Sequence, residues 1–273
     1  MTPSDIDDRA RTFRRLHDGP RAFVMPNPWD AGTARLVERA GFAAIATTSA
    51  GHAFSSGMPD GHASLDALLL HVSELATATA LPLSVDLEDG FAATVDTLGQ
   101  VVEAVAAAGA VGASIEDRKR SGELYPIGEA VERVEVFVAA ARALPFPFTV
   151  TARCECFLAG HPDLDETIRR LRAYESAGAD VVYAPGLATR DQIRSVVDAV
   201  ERPVNVVAGL GGATPSVAEL DRLGVRRISL GSALARAAFG AVQRALDEVQ
   251  TRGTFGFEAD AAPYAEINAA MAR

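Results

Sequence analysis

An α/β barrel of eight strand–helix units is the fold this sequence predicts, and three observations predict it. Short β-branched runs alternate with longer Ala-, Leu-, Val- and Arg-rich segments of helical period, the pattern of βαβ units on a parallel sheet. Eight such units fit within 273 residues, a common length for one barrel. The first strand is not followed by a G-x-G-x-x-G turn, so dinucleotide binding on an open doubly wound sheet, the competing architecture, has no support.

The elements follow in order. Strands are predicted near 21–25, 43–48, 82–87, 111–116, 147–153, 180–184, 203–208 and 226–230. Helices are predicted at 30–40, 64–80, 94–108, 128–143, 164–177, 189–200, 214–223 and 232–251. Asp30 precedes an Ala-rich run, and Gly41, Gly109, Gly178 and Gly224 stand where helices should stop. Past the eighth helix the chain runs on through Gly253-Thr254-Phe255-Gly256 to a last helix at 260–272. A barrel does not need that helix, so it is expected to pack on a partner subunit. The chain is taken as one domain, 1–273, with 253–273 as a C-terminal extension.

Composition excludes several functions. The net charge of −10 argues against a nucleic-acid or anionic-membrane binder. No apolar run is long enough to span a bilayer, and the acidic N-terminus lacks a signal-peptide pattern. The only cysteines, Cys154 and Cys156, are too close for an ordinary disulfide, which suits a reducing, cytoplasmic setting. Lys119 is the only lysine, so imine chemistry has one possible position.

In a barrel, reactive groups gather at the C-terminal ends of the strands. The third strand ends in Asp86-Leu87-Glu88-Asp89-Gly90 and the fourth in Glu116-Asp117. Strand parity sends Asp86 and Glu88 the same way, and Ser114 with Glu116. Clustered carboxylates repel unless a cation sits between them, and an all-oxygen set suits Mg²⁺ or Mn²⁺. The alternative is that these acids are solvated caps of the following helices. Thr149, Thr151, Arg153 and Glu155 share the polar face of the fifth strand. Arg153 there can grip a carboxylate or phosphonate in a fork, or serve a structural pair with Glu155 or Glu116. Parity turns both cysteines toward the helices as packing residues. Gly209-Leu210-Gly211-Gly212 is either a phosphate-binding loop or a tight turn, His52 and His62 lie in the loop after the second strand, and Trp29 reads as packing.

Eight blocks in order, among them MPNPWDAGTARLVERAGFAAIATTSAG, GMPDG, SVDLEDGF, SIEDR, TARCECF and LGVRRISLGSALARAAF, resemble the isocitrate lyase / phosphoenolpyruvate mutase superfamily. The resemblance implies a (β/α)8 barrel whose extra helix is exchanged between subunits of a dimer or tetramer. It implies Mg²⁺ on Asp86 and, directly or through water, on Glu88 and Glu116, with Asp60 in the outer shell. It implies a substrate carboxylate against the backbone of Thr48, Ser49 and Ala50, with Arg153 on the substrate or developing oxyanion. Asn205 joins the substrate-binding candidates, and Arg153, Lys119 and Asp60 are the catalytic ones.

The expected activity is Mg²⁺-dependent carbon–carbon cleavage or decarboxylation of a small 2-oxo or 2-hydroxy acid through an enolate. Phosphorus–carbon chemistry on a phosphonate, or simple binding of a 2-oxo acid, are the alternatives. The loop after the fourth strand, 118–126, keeps a lysine but lacks the cysteine and histidine of isocitrate lyases. The stretch Val182-Tyr183-Ala184-Pro185-Gly186 lacks the Glu or His those relatives carry there. In this chain Lys119, Glu123 or Tyr125 is left to protonate the enolate.

Overall fold

The computed structural model describes residues 2–92, 94–210 and 215–272. Eight parallel strands form one sheet: β1 (Phe23–Met25), β2 (Ile45–Ala46), β3 (Leu83–Asp86), β4 (Gly112–Glu116), β5 (Thr149–Arg153), β6 (Val181–Tyr183), β7 (Val204–Val207) and β8 (Arg227–Ser229). Their order is β1-β8-β7-β6-β5-β4-β3-β2, so β1 and β2 are the two edges. The Ala46 amide donates to the Pro26 carbonyl at 3.0 Å across that seam. Asn27 reinforces it: its Nδ2 donates to the Thr47 carbonyl, and its Oδ1 accepts from the Leu230 and Gly231 amides. The result is a nearly closed barrel, as expected, with strands shorter than their apolar runs suggest.

The predicted helices also form: α2 (Ala31–Arg39), α4 (Leu65–Ala78), α5 (Leu98–Ala107), α6 (Ile127–Ala143), α7 (Leu164–Ser176), α8 (Arg190–Ala199), α9 (Val217–Arg222), α10 (Ala233–Arg252) and α11 (Tyr264–Met271). Their apolar faces meet the outward residues of the strands in one core that includes Val85, Ile115, Val150, Phe137 and Ile228.

Two helices were not anticipated. α1 (Pro3–Asp18) opens with a capping box between Thr2 and Asp5, with Pro3 in its first turn. It lies under the barrel: Phe13 is fully buried, and a Cβ on Gly112 would come within 2.9 Å of its ring. Gly112 therefore lets α1 close on the sheet. The short α3 (Ser49–Ser55), capped by Thr48, replaces the loop expected after β2.

α10 and α11 differ from the rest. Of the 20 residues of α10 only Ala235 is buried, and Val242 and Leu246 are more than half exposed. α11 rests on α2 of its own chain, where the Met271 sulfur stands 3.6 Å from the position of a Cβ on Gly32 and Arg35 donates to the Met271 carbonyl. Among the described residues no helix is long and apolar enough to cross a membrane.

Candidate active site

The site is built on one rung of the sheet. Glu116 on β4 is in register with Arg153 on β5, Arg153 with Tyr183 on β6, Tyr183 with Asn205 on β7, and Asn205 with Arg227 on β8. Residues in register on neighbouring strands point to the same face. The rung starts at the last residue of β4 and reaches the first residue of β8, so it descends from the C-terminal rim toward the floor. A cavity of about 60 Å³ lies along it, lined by Thr48, Asp86, Ser114, Arg153, Tyr183, Asn205 and Arg227 among others.

The rim is a carboxylate cluster around one arginine. Arg153 reaches Asp86 at 3.5 Å and Glu116 at 3.3 Å, and its Nε donates to Glu155. The structural pairing weighed for it is present, and the same side chain lines the cavity. Its guanidinium also stands 5.3 Å from the Tyr183 ring centroid. Glu155 is held in turn by Asp117, which accepts from the Glu155 amide, from Arg170 and from the Tyr174 hydroxyl. That buried network fixes the base of Arg153 from behind.

Asp86 accepts from Ser49 Oγ at 3.2 Å and Ser114 Oγ at 3.5 Å, while its amide donates to Thr47. Glu88 stands in the left-handed region at φ 46°, an uncommon conformation for a residue with a side chain. Its carbonyl accepts from the Glu116 amide, which ties the third strand's loop to the fourth strand. Burial, with the neighbouring charge of Asp86, raises the Glu88 carboxyl from its ordinary 4.5 to about 7. Burial also drives Glu116 well above the ordinary carboxylate range, against the pull of Arg153.

These carboxylates are therefore short of positive charge. The donor set is all oxygen, with no His or Cys, and fits a hard divalent cation completed by water. Among the described residues no three acidic or imidazole groups already converge on one metal position. Asp86, Glu88 and Glu116 would hold such an ion, and Asp60 sits close enough to Glu88 for its charge to be felt there.

The other candidates lie further out. Thr48 lines the cavity and caps α3 by accepting from the Gly51 amide, whereas Ala50 belongs to the first turn of that helix. Lys119 is on a hairpin closed by the Arg118–Leu124 bridge, its Nζ 4.9 Å above the Tyr125 ring. Asp60 is exposed, and its side chain accepts from the Gly61 amide. His52 stacks on His71 at 4.1 Å, away from the cavity. The cysteines pack in the core with sulfurs 3.4 Å apart, as parity predicted. Gly211 and Gly212 of the glycine-rich loop lie outside the described residues.

Tyr183 and Arg227 were missed. The resemblance points to a Glu or His after the sixth strand, and Tyr183 carries no charge to mark it. The second sat in a strand read as Arg-Arg-Ile-Ser-Leu with no role for either arginine. A charged residue at an inward strand position was the available signal.

A parallel barrel with a rim of carboxylates around an arginine defines a class: enzymes that handle small acids through a divalent cation. Comparison with known proteins gives the family. The model of phosphoenolpyruvate phosphomutase matches residues 13–250, and the chain belongs to that family, within the phosphoenolpyruvate mutase / isocitrate lyase superfamily. Its members are Mg²⁺-dependent lyases and mutases of small carboxylic acids. The chain is 32% identical to 2-methylisocitrate lyase of Escherichia coli, over 81% of this chain and 76% of that one. A crystal structure from Burkholderia cenocepacia, provisionally assigned as a lyase/mutase, superposes with a TM-score of 0.96 at 53% identity, covering 97% of this chain and 96% of the other. Phosphonopyruvate hydrolase, solved with oxalate and Mg²⁺, superposes at 0.84 with 28% identity, covering 96% and 94%.

Proposed function

We propose that the protein is a Mg²⁺-dependent lyase that cleaves a carbon–carbon bond of a small 2-oxo or 2-hydroxy acid through an enolate. The observation that carries this is the rim: Asp86 and Glu116 paired to Arg153, with Glu88 near Asp86, and Glu88 and Glu116 both raised in proton affinity, beside a small cavity. Asp86 would hold the ion, with Glu88 and Glu116 directly or through water and Asp60 outside them. The bound ion would supply Lewis acidity toward the substrate's 2-oxo group.

The chain's own residues do the rest. The backbone at Thr48, Ser49 and Ala50 takes the substrate carboxylate. Arg153 donates to the oxygen on which charge develops, and a fixed donor there favours the transition state over the ground state. Asn205, which accepts from Arg227 and donates to Ser229, shapes the floor beneath the substrate. Lys119, on its hairpin, delivers a proton to the enolate when the hairpin closes. The exposed face of α10 pairs with a second copy, and light scattering on the eluting protein should give a dimer or tetramer mass.

The test is a panel of oxaloacetate, 2,3-dimethylmalate, 2-methylisocitrate and phosphonopyruvate with Mg²⁺, following 2-oxo acid or enolpyruvyl products by ¹H and ³¹P NMR. Cleavage of a carbon–carbon bond in at least one supports the assignment. Turnover of phosphonopyruvate alone would replace it with phosphorus–carbon chemistry.

A further inference from the structure

The lower end of the rung carries a second buried arginine, and it has no acid. Arg227 is 2% exposed. Its Nε donates to Asn205 Oδ1 at 2.9 Å and its Nη2 to Thr151 Oγ1 at 3.0 Å. Nη1 faces His17 Nε2 at 3.4 Å. The other ring nitrogen, Nδ1, contacts the Phe13 carbonyl, which can only accept, so Nδ1 carries the proton and Nε2 accepts from Arg227. Burial and the Arg227 charge hold this imidazole neutral, with its pKa lowered to about 3. Every resident partner of Arg227 is therefore uncharged, and among the described residues no carboxylate pairs with it.

Such an arrangement is costly. Burying a cation is strongly unfavourable unless an anion compensates it. Desolvation pulls the guanidinium down to about 10, with only the Tyr183 phenol opposing. Arg153, by contrast, is committed to three carboxylates. Both arginines line the same cavity. Its uncompensated positive charge is at the floor and not at the rim.

We infer that Arg227 is the anion-binding residue of the cavity floor, where it receives a carboxylate of the bound acid, and that Asn205, Thr151 and His17 hold it in place. The inference extends the proposed function by giving the substrate a second carboxylate, directed down the barrel. It does not need the ion at the rim, because Arg227 is held without it.

Calorimetric titration of malonate into the full chain with chelator present tests this apart from catalysis. The wild type should bind. Asn205→Asp is the informative variant, because it gives Arg227 a resident carboxylate in nearly the same shape. It should raise Tm, since the buried charge is now paired, and weaken malonate about tenfold or more. Arg227→Gln should weaken malonate as much if it folds, and if it does not, Asn205→Asp decides alone. A wild type that fails to bind malonate, or variants that bind within about twofold of it, would overturn the assignment. Either outcome leaves Mg²⁺-dependent turnover to be judged separately.

Discussion

Two arginines on one rung of the barrel, Arg153 and Arg227, meet opposite surroundings. Arg153 stands among Asp86, Glu116 and Glu155, all within ion-pair distance, and Arg227 stands among an amide, a hydroxyl and a neutral imidazole. Arg227 is buried and the Arg153 side chain is only 17% exposed, so both depend on the compensation the fold supplies. The rim has an excess of negative charge that one cation does not satisfy, which calls for a metal. The floor has an excess of positive charge, which calls for an anion. Under the proposed assignments, a bound acid runs from the rim to Arg227 on the floor.

The largest effect that could break this contrast is at the rim. Asp86→Ala removes the residue on which Ser49, Ser114 and Arg153 converge. Activity should fall about 10³-fold or more with circular dichroism unchanged. Arg153→Met should follow: it leaves three carboxylates clustered without a cation and should destabilise the metal-free protein by roughly 3–5 kcal/mol. Added Mg²⁺ should restore part of that Tm, because the ion takes over the neutralising role. Arg227→Met removes a charge with no acidic partner, so its loss of Tm should be clearly smaller. Equal losses at the two positions would erase the contrast.

A pH prediction sharpens the rim further. Glu88 has a folded-state pKa of about 7, above its ordinary 4.5. The folded protein therefore binds that proton more tightly, and the stability it contributes is present below about pH 4.5 and lost as pH rises through 7. In chelator, Glu88→Gln should be more stable than the wild type near pH 8, with the gap closing toward about pH 5. A gap that ignores pH would remove Glu88 from the cluster. The smallest expected effect lies behind the rim. Tyr174→Phe removes one donor to Asp117 but leaves Arg170 and the Glu155 amide, so it should cost only about 1 kcal/mol.

Much of this was legible in the sequence. All eight strands were marked by short apolar runs alternating with helical segments, four of which stop at Gly41, Gly109, Gly178 and Gly224, and parity on the fifth strand placed Arg153 inward and the cysteines outward. Position at strand ends singled out Asp86, Glu88 and Glu116. α1 lies ahead of the first strand, outside the strand–helix alternation, although Thr2-Pro3-Ser4-Asp5 carries a helix-start signal. α3 is only seven residues long, too short for helical periodicity to register. Arg227 escaped for a different reason. It shares a rung with Arg153 only through the stagger of four strands, and stagger is set by barrel closure, which no single strand's sequence encodes.

The central claim rests on the carboxylate rim acting through a divalent ion. Its most direct test is the initial rate of product formation on the best acid of the panel, measured against Mg²⁺ concentration for the wild type and Asp86→Ala. The account predicts a rate that saturates with Mg²⁺, vanishes in chelator and is absent in the variant at every concentration. A wild-type rate that persists undiminished in chelator, or a variant that keeps it, would contradict the account.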